Sequence, residues 1–259
     1  MPQLAKAPSG SLDVRLVTKL SVNINKIALL RNSRGRNFPD VAAFSERFLR
    51  LGAEGITLHP RPDQRHARYT DVAELQAVVR AHPGAELNVE GNPNDEFLAV
   101  VRRVRPTQCT LVPDAPGQLT SDHGWDLVRN EAKLRAIVGE LRDAGVRTSL
   151  FVDYDHPHLA LARELGADRV ELYTEPYAAA FGSPAGEAIF EGFRAAAARA
   201  RAAGLGVNAG HDLNLENLGE FLEIPEILEV SIGHALVVEC LEFGIEAVMA
   251  RYLEIIHAH

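Results

Sequence analysis

Four side chains able to move protons near neutral pH stand in matching settings along this chain of 259 residues. His59 closes the run Gly55-Ile56-Thr57-Leu58-His59, and Glu90 closes Leu87-Asn88-Val89-Glu90. His211 follows Val207-Asn208-Ala209-Gly210, and His234 follows Ser231-Ile232-Gly233. Each run is short and rich in apolar or β-branched residues, the mark of a buried strand. Histidine changes charge between about pH 5 and 8. A carboxyl held away from water has its pKa raised into the same range, which suits a general base. Strand alternation puts Asn88 and Glu90 on one face. If that face is the inside of a barrel, Glu90 is desolvated; otherwise an ion pair with a nearby arginine explains it equally well.

Two further features point to anions. Lysine is scarce, and of Lys6, Lys19, Lys26 and Lys133 only Lys26 falls at the end of such a run. It could form a Schiff base, hold a phosphate, or point to solvent. Gly210 and Gly233 end two runs and are each expected to open a helix, where free amides and the helix dipole would receive phosphate. Plain turn geometry is the other explanation. The cluster Arg31, Arg34 and Arg36 reads as a solvated loop on charge alone.

The elements that must position these groups follow from the pattern. Eight strands are expected, over residues 20–25, 55–60, 86–91, 108–114, 148–153, 169–174, 206–210 and 228–233. Helical patterns lie between them at 41–51, 72–82, 127–144, 158–165, 187–203 and 235–256. Leu51-Gly52, Ala144-Gly145, Leu165-Gly166 and Ala203-Gly204 place glycine where a helix closes on a left-handed residue. Apolar strands joined by crossover helices mean a parallel sheet covered on both faces. Eight such units favour an α/β fold of the eight-stranded parallel (β/α)8 TIM barrel class with additional helices, for which about 250 residues is typical. An open doubly wound sheet is the alternative. The expected organisation is one barrel over 18–259 after a loosely held extension over 1–17. In such barrels the chemistry sits at the C-terminal ends of the strands, which is where the four proton carriers fall.

Composition sets the outer limits. A formal charge of −8 argues against nucleic acid as a partner. No apolar run is long enough to suggest a membrane span. The first residues lack the apolar centre of a signal peptide, so a cytoplasmic address is expected. Cys109 and Cys240 read as fillers, and no His-Glu-x-x-His or four-cysteine set suggests a metal.

The same runs carry a resemblance. Val22-Asn23-Ile24-Asn25-Lys26-Ile27-Ala28-Leu29-Leu30-Arg31-Asn32 and Gly55-Ile56-Thr57-Leu58-His59-Pro60-Arg61-Pro62-Asp63-Gln64-Arg65-His66 resemble the first two strands and following loops of pyridoxine 5′-phosphate synthases. Leu111-Val112-Pro113, Leu87-Asn88-Val89-Glu90 and the runs around His211 and His234 extend the likeness from about residue 20 to the C-terminus. The resemblance implies a β/α barrel that assembles as a homo-octamer of dimers. It implies condensation of 3-amino-2-oxopropyl phosphate (aminoacetone phosphate) with 1-deoxy-D-xylulose 5-phosphate to pyridoxine 5′-phosphate, inorganic phosphate and water. No cofactor and no metal are implied; the partners are small phosphorylated substrates. By the same resemblance His59 and Glu90 are proton acceptors and His211 a proton donor. Asn23, Arg34, Gly233 and His234 fall where aminoacetone phosphate is held; Arg61, His66 and Thr120 fall where the deoxyxylulose phosphate is held. This chain departs from the familiar pattern in two places. Asn25-Lys26 stands where Asp-His is common, and Asp212 where Gly is common. Both places belong to the expected substrate contacts.

The implied chemistry explains a rim of acids and bases. An amine attacks a ketone, a carbon acid loses a proton, phosphate leaves, and the ring closes with loss of water. Each step moves a proton. The stretch 114–125 would be a lid that excludes water, or a plain surface loop. Two other classes share the fold. A sugar-phosphate aldolase or isomerase would need a Schiff-base lysine or a metal, and a binding barrel without catalysis would not need His59, Glu90 and His211 together.

Overall fold

The computed structural model describes residues 17–114, 117, 118 and 120–259. All of the expected N-terminal extension except residue 17 therefore lies outside the described residues, as do 115, 116 and 119 of the expected lid. The strands are β1 (Lys19–Asn23), β2 (Gly55–Leu58), β3 (Glu86–Gly91), β4 (Gln108–Leu111), β5 (Arg147–Val152), β6 (Arg169–Leu172), β7 (Gly206–Ala209) and β8 (Ile227–Ile232). The helices begin with α1 (Asn25–Asn32), α2 (Val41–Arg50), α3 (Tyr69–Arg80) and α4 (Asp95–Val104). They continue with α5 (Glu131–Asp143), α6 (Leu161–Glu164), α7 (Glu175–Ala180) and α8 (Gly186–Ala202), and end with α9 (Leu218–Phe221), α10 (His234–Phe243) and α11 (Ile245–Ala258).

The strands form a closed parallel barrel in chain order. Closure is made by β1 on β8, with Lys19 opposite Glu229 and Val22 opposite Ile232. This removes the open doubly wound sheet. Among the described residues no helix is long and apolar enough to cross a membrane.

Every expected strand forms. Helices α1, α4, α7 and α9 were not expected from the pattern. The signal for α4 was nonetheless present. Asn94 caps it by accepting from Phe97 N at 2.9 Å, Asp95 and Glu96 occupy its first turn, and Phe97, Leu98, Val101 and Val104 make its buried stripe. The expected helix over 235–256 is two helices, α10 and α11, broken at Gly244 (φ 86°). The expected glycine closures form; Gly145, for example, ends α5 with φ 76°.

Alternation along the strands sorts residues into two sets. Val22, Ile56, Leu58, Leu87, Val89, Leu150, Val170 and Val207 are fully buried in the apolar core. Each contributes about 1.5–3 kcal/mol by leaving water. The opposite face is polar. Thr110 on β4 donates to Glu171 on β6 at 3.4 Å, and Gln108 on β4 donates to Glu229 on β8 at 3.4 Å. Those strands are not neighbours, so these bonds cross the lumen. The barrel therefore holds polar groups inside and packs its apolar side chains outward against the helices. Cys109 is fully buried in the apolar set, and both cysteines are free.

The loop after β2 is tied down by a buried ion pair. Arg31, expected in a solvated cluster, is only 2% exposed. It donates to Asp71 Oδ1 at 2.8 Å and Oδ2 at 2.9 Å, and to the His66 carbonyl at 3.1 Å. Arg34 and Arg36 are exposed as expected. Asp71 also accepts from Arg68 N at 2.8 Å at the start of α3. Replacing Asp71 with alanine leaves a buried guanidinium unpaired. Asp71→Ala should lose about 3–5 kcal/mol of stability, measured as a fall in the urea midpoint at unchanged slope.

Candidate active site

A cavity of about 1200 Å³ opens at the C-terminal ends of the strands. Asn23, Asn25, Lys26, His59, Arg61, His66, Glu90, Thr120, His211, Asp212, Gly233 and His234 all line it. Of the residues singled out in the sequence, Arg34 is not brought to it; that side chain lies on the exposed loop after α1.

The deepest part of the mouth is built around Glu90, which is 9% exposed. Its Oε2 accepts from Asn23 Nδ2 at 3.3 Å and lies 3.9 Å from His59 Nδ1. Burial, then the like charges of Glu229 and Asp114, push its pKa up to about 8, against the opposing pull of Arg61 and Asn23. His59 is 5% exposed, and burial followed by the charges of Arg61, His66, His211 and Arg65 holds it well below the usual histidine range. His59 is thus a neutral imidazole at pH 7, and Glu90 is largely a neutral acid. Asn25 shapes the same corner. Its Oδ1 accepts from the His59 backbone N at 3.0 Å, while its own N donates to Asn23 Oδ1 at 3.1 Å.

His211 faces this pair from the β7 side. Its ring meets Tyr173 edge-on at 5.5 Å and Phe151 at 6.2 Å, and its Nε2 lies 3.3 Å from Thr120 Oγ1. Burial lowers its pKa most, Asp212 and Asp114 raise it, and Arg61 and Lys26 lower it again. Lys26 lowers His66 too, after burial, Arg61 and Arg65, and His66 is brought to about 4. Lys26 therefore lies within electrostatic reach of two candidate groups and makes no ion pair with a described residue.

Two expectations about the glycine corners separate here. Gly233 does open a helix, α10. Gly210 does not; a turn follows β7 and the next helix is α9. Gly210 is required for close packing instead, because a Cβ there would stand 2.1 Å from the Ser231 carbonyl oxygen. Asp212 holds φ 60°. A left-handed residue is where glycine is at ease and where aspartate is the next best tolerated. That accounts for aspartate serving where the resemblance leads one to expect glycine.

Residues 120–123 line the mouth. Arg61 Nη1 donates to the Gln118 carbonyl at 3.0 Å, and Arg65 Nη2 donates to the same oxygen at 2.5 Å. Gly124 N is anchored on Asp153 Oδ1 at 3.0 Å, and Trp125 Nε1 on the Leu111 carbonyl at 2.8 Å. Asp114, Ser121 and Tyr173 were not singled out in the sequence as separate site residues. Asp114 closes a strand-like run just as Glu90 does, and that signal could have found it. Tyr173 carried no such signal.

The fold and mouth define a β/α barrel with histidine and carboxyl groups gathered at its C-terminal rim, and known proteins narrow the class. The family model described as pyridoxal phosphate biosynthesis protein PdxJ matches residues 20–258. A pyridoxine 5′-phosphate synthase from Xanthomonas axonopodis pv. citri (strain 306) is 50% identical over 94% of this chain and 98% of its own length. One from Porphyromonas gingivalis (strain ATCC 33277) is 48% identical over 91% and 98%. Among solved structures, 3-keto-L-gulonate-6-phosphate decarboxylase from Vibrio cholerae aligns with TM-score 0.63 over 93% of this chain and 98% of its own, at 10% identity, which speaks to fold alone. This chain belongs to the PdxJ family of pyridoxal phosphate biosynthesis proteins.

The raised pKa of Glu90 has a consequence that needs no substrate. A carboxyl near 4.5 when unfolded and near 8 when folded leaves the native state holding the extra proton between those values. Stability then falls as pH rises through that window, because the native state must keep or surrender a proton the unfolded chain has already lost. Glu90→Gln removes the effect. The variant should gain stability relative to the parent progressively from about pH 5 to about pH 8, read from paired urea titrations; a constant difference across that range would contradict the buried, protonated state.

Proposed function

We propose that this chain is a pyridoxine 5′-phosphate synthase, joining 3-amino-2-oxopropyl phosphate and 1-deoxy-D-xylulose 5-phosphate into pyridoxine 5′-phosphate with release of inorganic phosphate and water. The observation that carries the reading is His59, Glu90 and His211 around one cavity, in a chain half identical to synthases over nearly its whole length. His59, and Glu90 once it has given up its own proton, accept protons as the amine adds to the ketone and as the carbon acid is deprotonated. His211 donates to the departing oxygen. Arg61, His66 and Thr120 hold the sugar phosphate, and Asn23, Gly233 and His234 the aminoacetone phosphate. Two phosphates supply binding energy away from the reacting atoms, which serves orientation. No cofactor or metal is assigned a role. The working assembly in this proposal is a cytoplasmic homo-octamer. An apolar face supports self-association, for Leu29 and Leu30 on α1 and Val238, Leu241 and Phe243 on the adjoining α10 are all exposed.

The test is incubation of the pure protein with both substrates, following the ultraviolet absorbance of a pyridine product. Product should form only with both present, and Glu90→Gln should turn over on the order of 100-fold or more slower. No absorbance with either order of addition would reject the reading, and near-normal turnover in the variant would remove Glu90 from the scheme.

Lys26 is assigned a charge role at the sugar phosphate, since the other substrate already brings the amine. A charge-assisted hydrogen bond is worth roughly 1.5–3 kcal/mol. Lys26→Met should weaken binding of the deoxyxylulose phosphate by roughly 10- to 150-fold, with a smaller effect on aminoacetone phosphate. A borohydride-stable adduct on Lys26 with the sugar phosphate alone would instead make it a covalent nucleophile.

A further inference from the structure

The acid–base scheme above leaves unused a buried carboxylate that stands behind His59 at the mouth. Asp114, three residues beyond β4, is 5% exposed. Its Oδ2 lies 2.6 Å from Arg61 Nη2, accepts from Ser121 Oγ at 3.0 Å, and stands 3.7 Å from His59 Nε2. Its Oδ1 is buried with no hydrogen-bond partner among the described residues. On the far side of the imidazole, Nδ1 stands 3.9 Å from Glu90 Oε2. His59 is therefore held between two carboxyl groups, one at each ring nitrogen. Both separations exceed a formed hydrogen bond, as is common before substrate tightens a site.

The two carboxyls differ in their neighbours. Asp114 touches a guanidinium, which stays charged at any working pH. Burial pushes its pKa up, and Arg61 and Ser121 oppose that push. Glu90 has no lysine or arginine at ion-pair distance among the described residues, and it keeps its proton to about pH 8. The remaining charged groups facing His59 are Arg61, Arg65 and His66 from its own loop and His211 from the β7 side, all of which disfavour imidazolium. A neutral imidazole carries one N–H and one lone pair. The lower-energy arrangement aims the N–H at the anion and the lone pair at the proton of the neutral acid.

We infer that Asp114 is a positioning residue that fixes His59 as the Nε2–H tautomer, leaving Nδ1 as the proton acceptor that faces Glu90. The tautomer sets the path of transfer between Glu90 and His59, and Asp114 offsets part of the cost of the imidazolium formed on it. The Glu90 O–H bond breaks as an Nδ1–H bond forms, giving an imidazolium whose charge lies against Asp114 and a Glu90 carboxylate ready for the next substrate proton. Because Ser121 and Arg61 hold the same Asp114 oxygen, the placement of Ser121 and the orientation of His59 are set together. The catalytic consequence rests on the synthase reading; the tautomer is a property of the unliganded protein.

The experiment has two arms. In histidine ¹⁵N-labelled protein at pH 7, long-range ¹H–¹⁵N correlations report the tautomer of His59, assigned with His59→Gln. The parent should show Nε2–H; Asp114→Asn and Asp114→Ala should lose that preference, and Asp114→Glu should restore it. In the pyridine assay, Asp114→Asn should lower kcat on the order of 100-fold while both KM values stay within about threefold, with Asp114→Glu recovering most of the rate. An Nδ1–H or doubly protonated His59 in the parent, or an unchanged Nε2–H tautomer in both Asn and Ala variants, overturns the assignment. A kcat that holds in Asp114→Asn overturns it as well. If the parent forms no pyridine while the tautomers shift as expected, the synthase reading fails and the positioning role stands.

Discussion

Three carboxyl groups, Glu90, Glu171 and Glu229, share the inside of one closed barrel with few cations to balance them. Glu229 sits at the N-terminal end, where Arg169 lies 3.3 Å and Arg147 3.9 Å away. Lys19 and Arg147 both pair with Glu86 at that same end. Arg61 and Arg65 stand at the other end, in the loop after β2. The middle of the lumen holds no lysine or arginine among the described residues. Among the described residues Glu171 has only Thr110 for a hydrogen-bond partner, and burial, then Glu90 and Glu229, push its pKa well above the ordinary range. Charged carboxylates packed this way would repel one another across a medium that screens poorly. The barrel avoids that by keeping the middle and upper ones neutral, so a fold-level constraint produces weak acids able to give and take protons near neutral pH.

That arrangement depends on strand register. Each strand points alternate residues into the lumen, and a slip of one residue would exchange its polar and apolar sets. In β3, Asn88 and Glu90 would move outward into the helix layer while Leu87 and Val89 entered the lumen. The outward apolar residues thus have two roles. They supply the burial that stabilises the barrel, and they fix the register that aims Glu90 at the mouth. The polar interior departs from the branched aliphatic filling usual in this fold, and the apolar core lies almost wholly between strands and helices.

The strands and the rim residues were legible in the sequence because both signals are local. An apolar run and the residue that ends it need no knowledge of what lies across the barrel. Helix α1 was hidden because it is short and carries no start signal: Ile24 makes no side-chain cap, no acidic residue stands in its first turn, and the chain turns at Ile24 inside the expected strand 20–25. Arg31 was misjudged for a related reason. Its partner Asp71 is 40 residues away, and a buried ion pair between distant positions leaves no spacing to read. Asp114 lay in view as the end of a run, yet its meaning depends on Arg61, Ser121 and both nitrogens of His59 converging on it.

The two departures from the family pattern acquire distinct physical meanings from the backbone. Asp212 occupies a left-handed turn, so its side chain is tolerated there by conformation, and it adds negative charge to a side of the cavity already lined by Asp122, Asp153, Asp155 and Glu175. Asn25 spends its side-chain oxygen on the His59 backbone N–H, a bond an aspartate could also accept, so the amide preserves the corner while removing a charge. Lys26, next along, enlarges the basic side formed by Arg61 and Arg65. Each change deepens the division of the mouth into an acidic wall and a basic wall. Under the proposed synthase reading, such a field would draw the anionic end of a substrate toward the β1 and β2 loops and leave its uncharged reacting end facing Glu90 and His211.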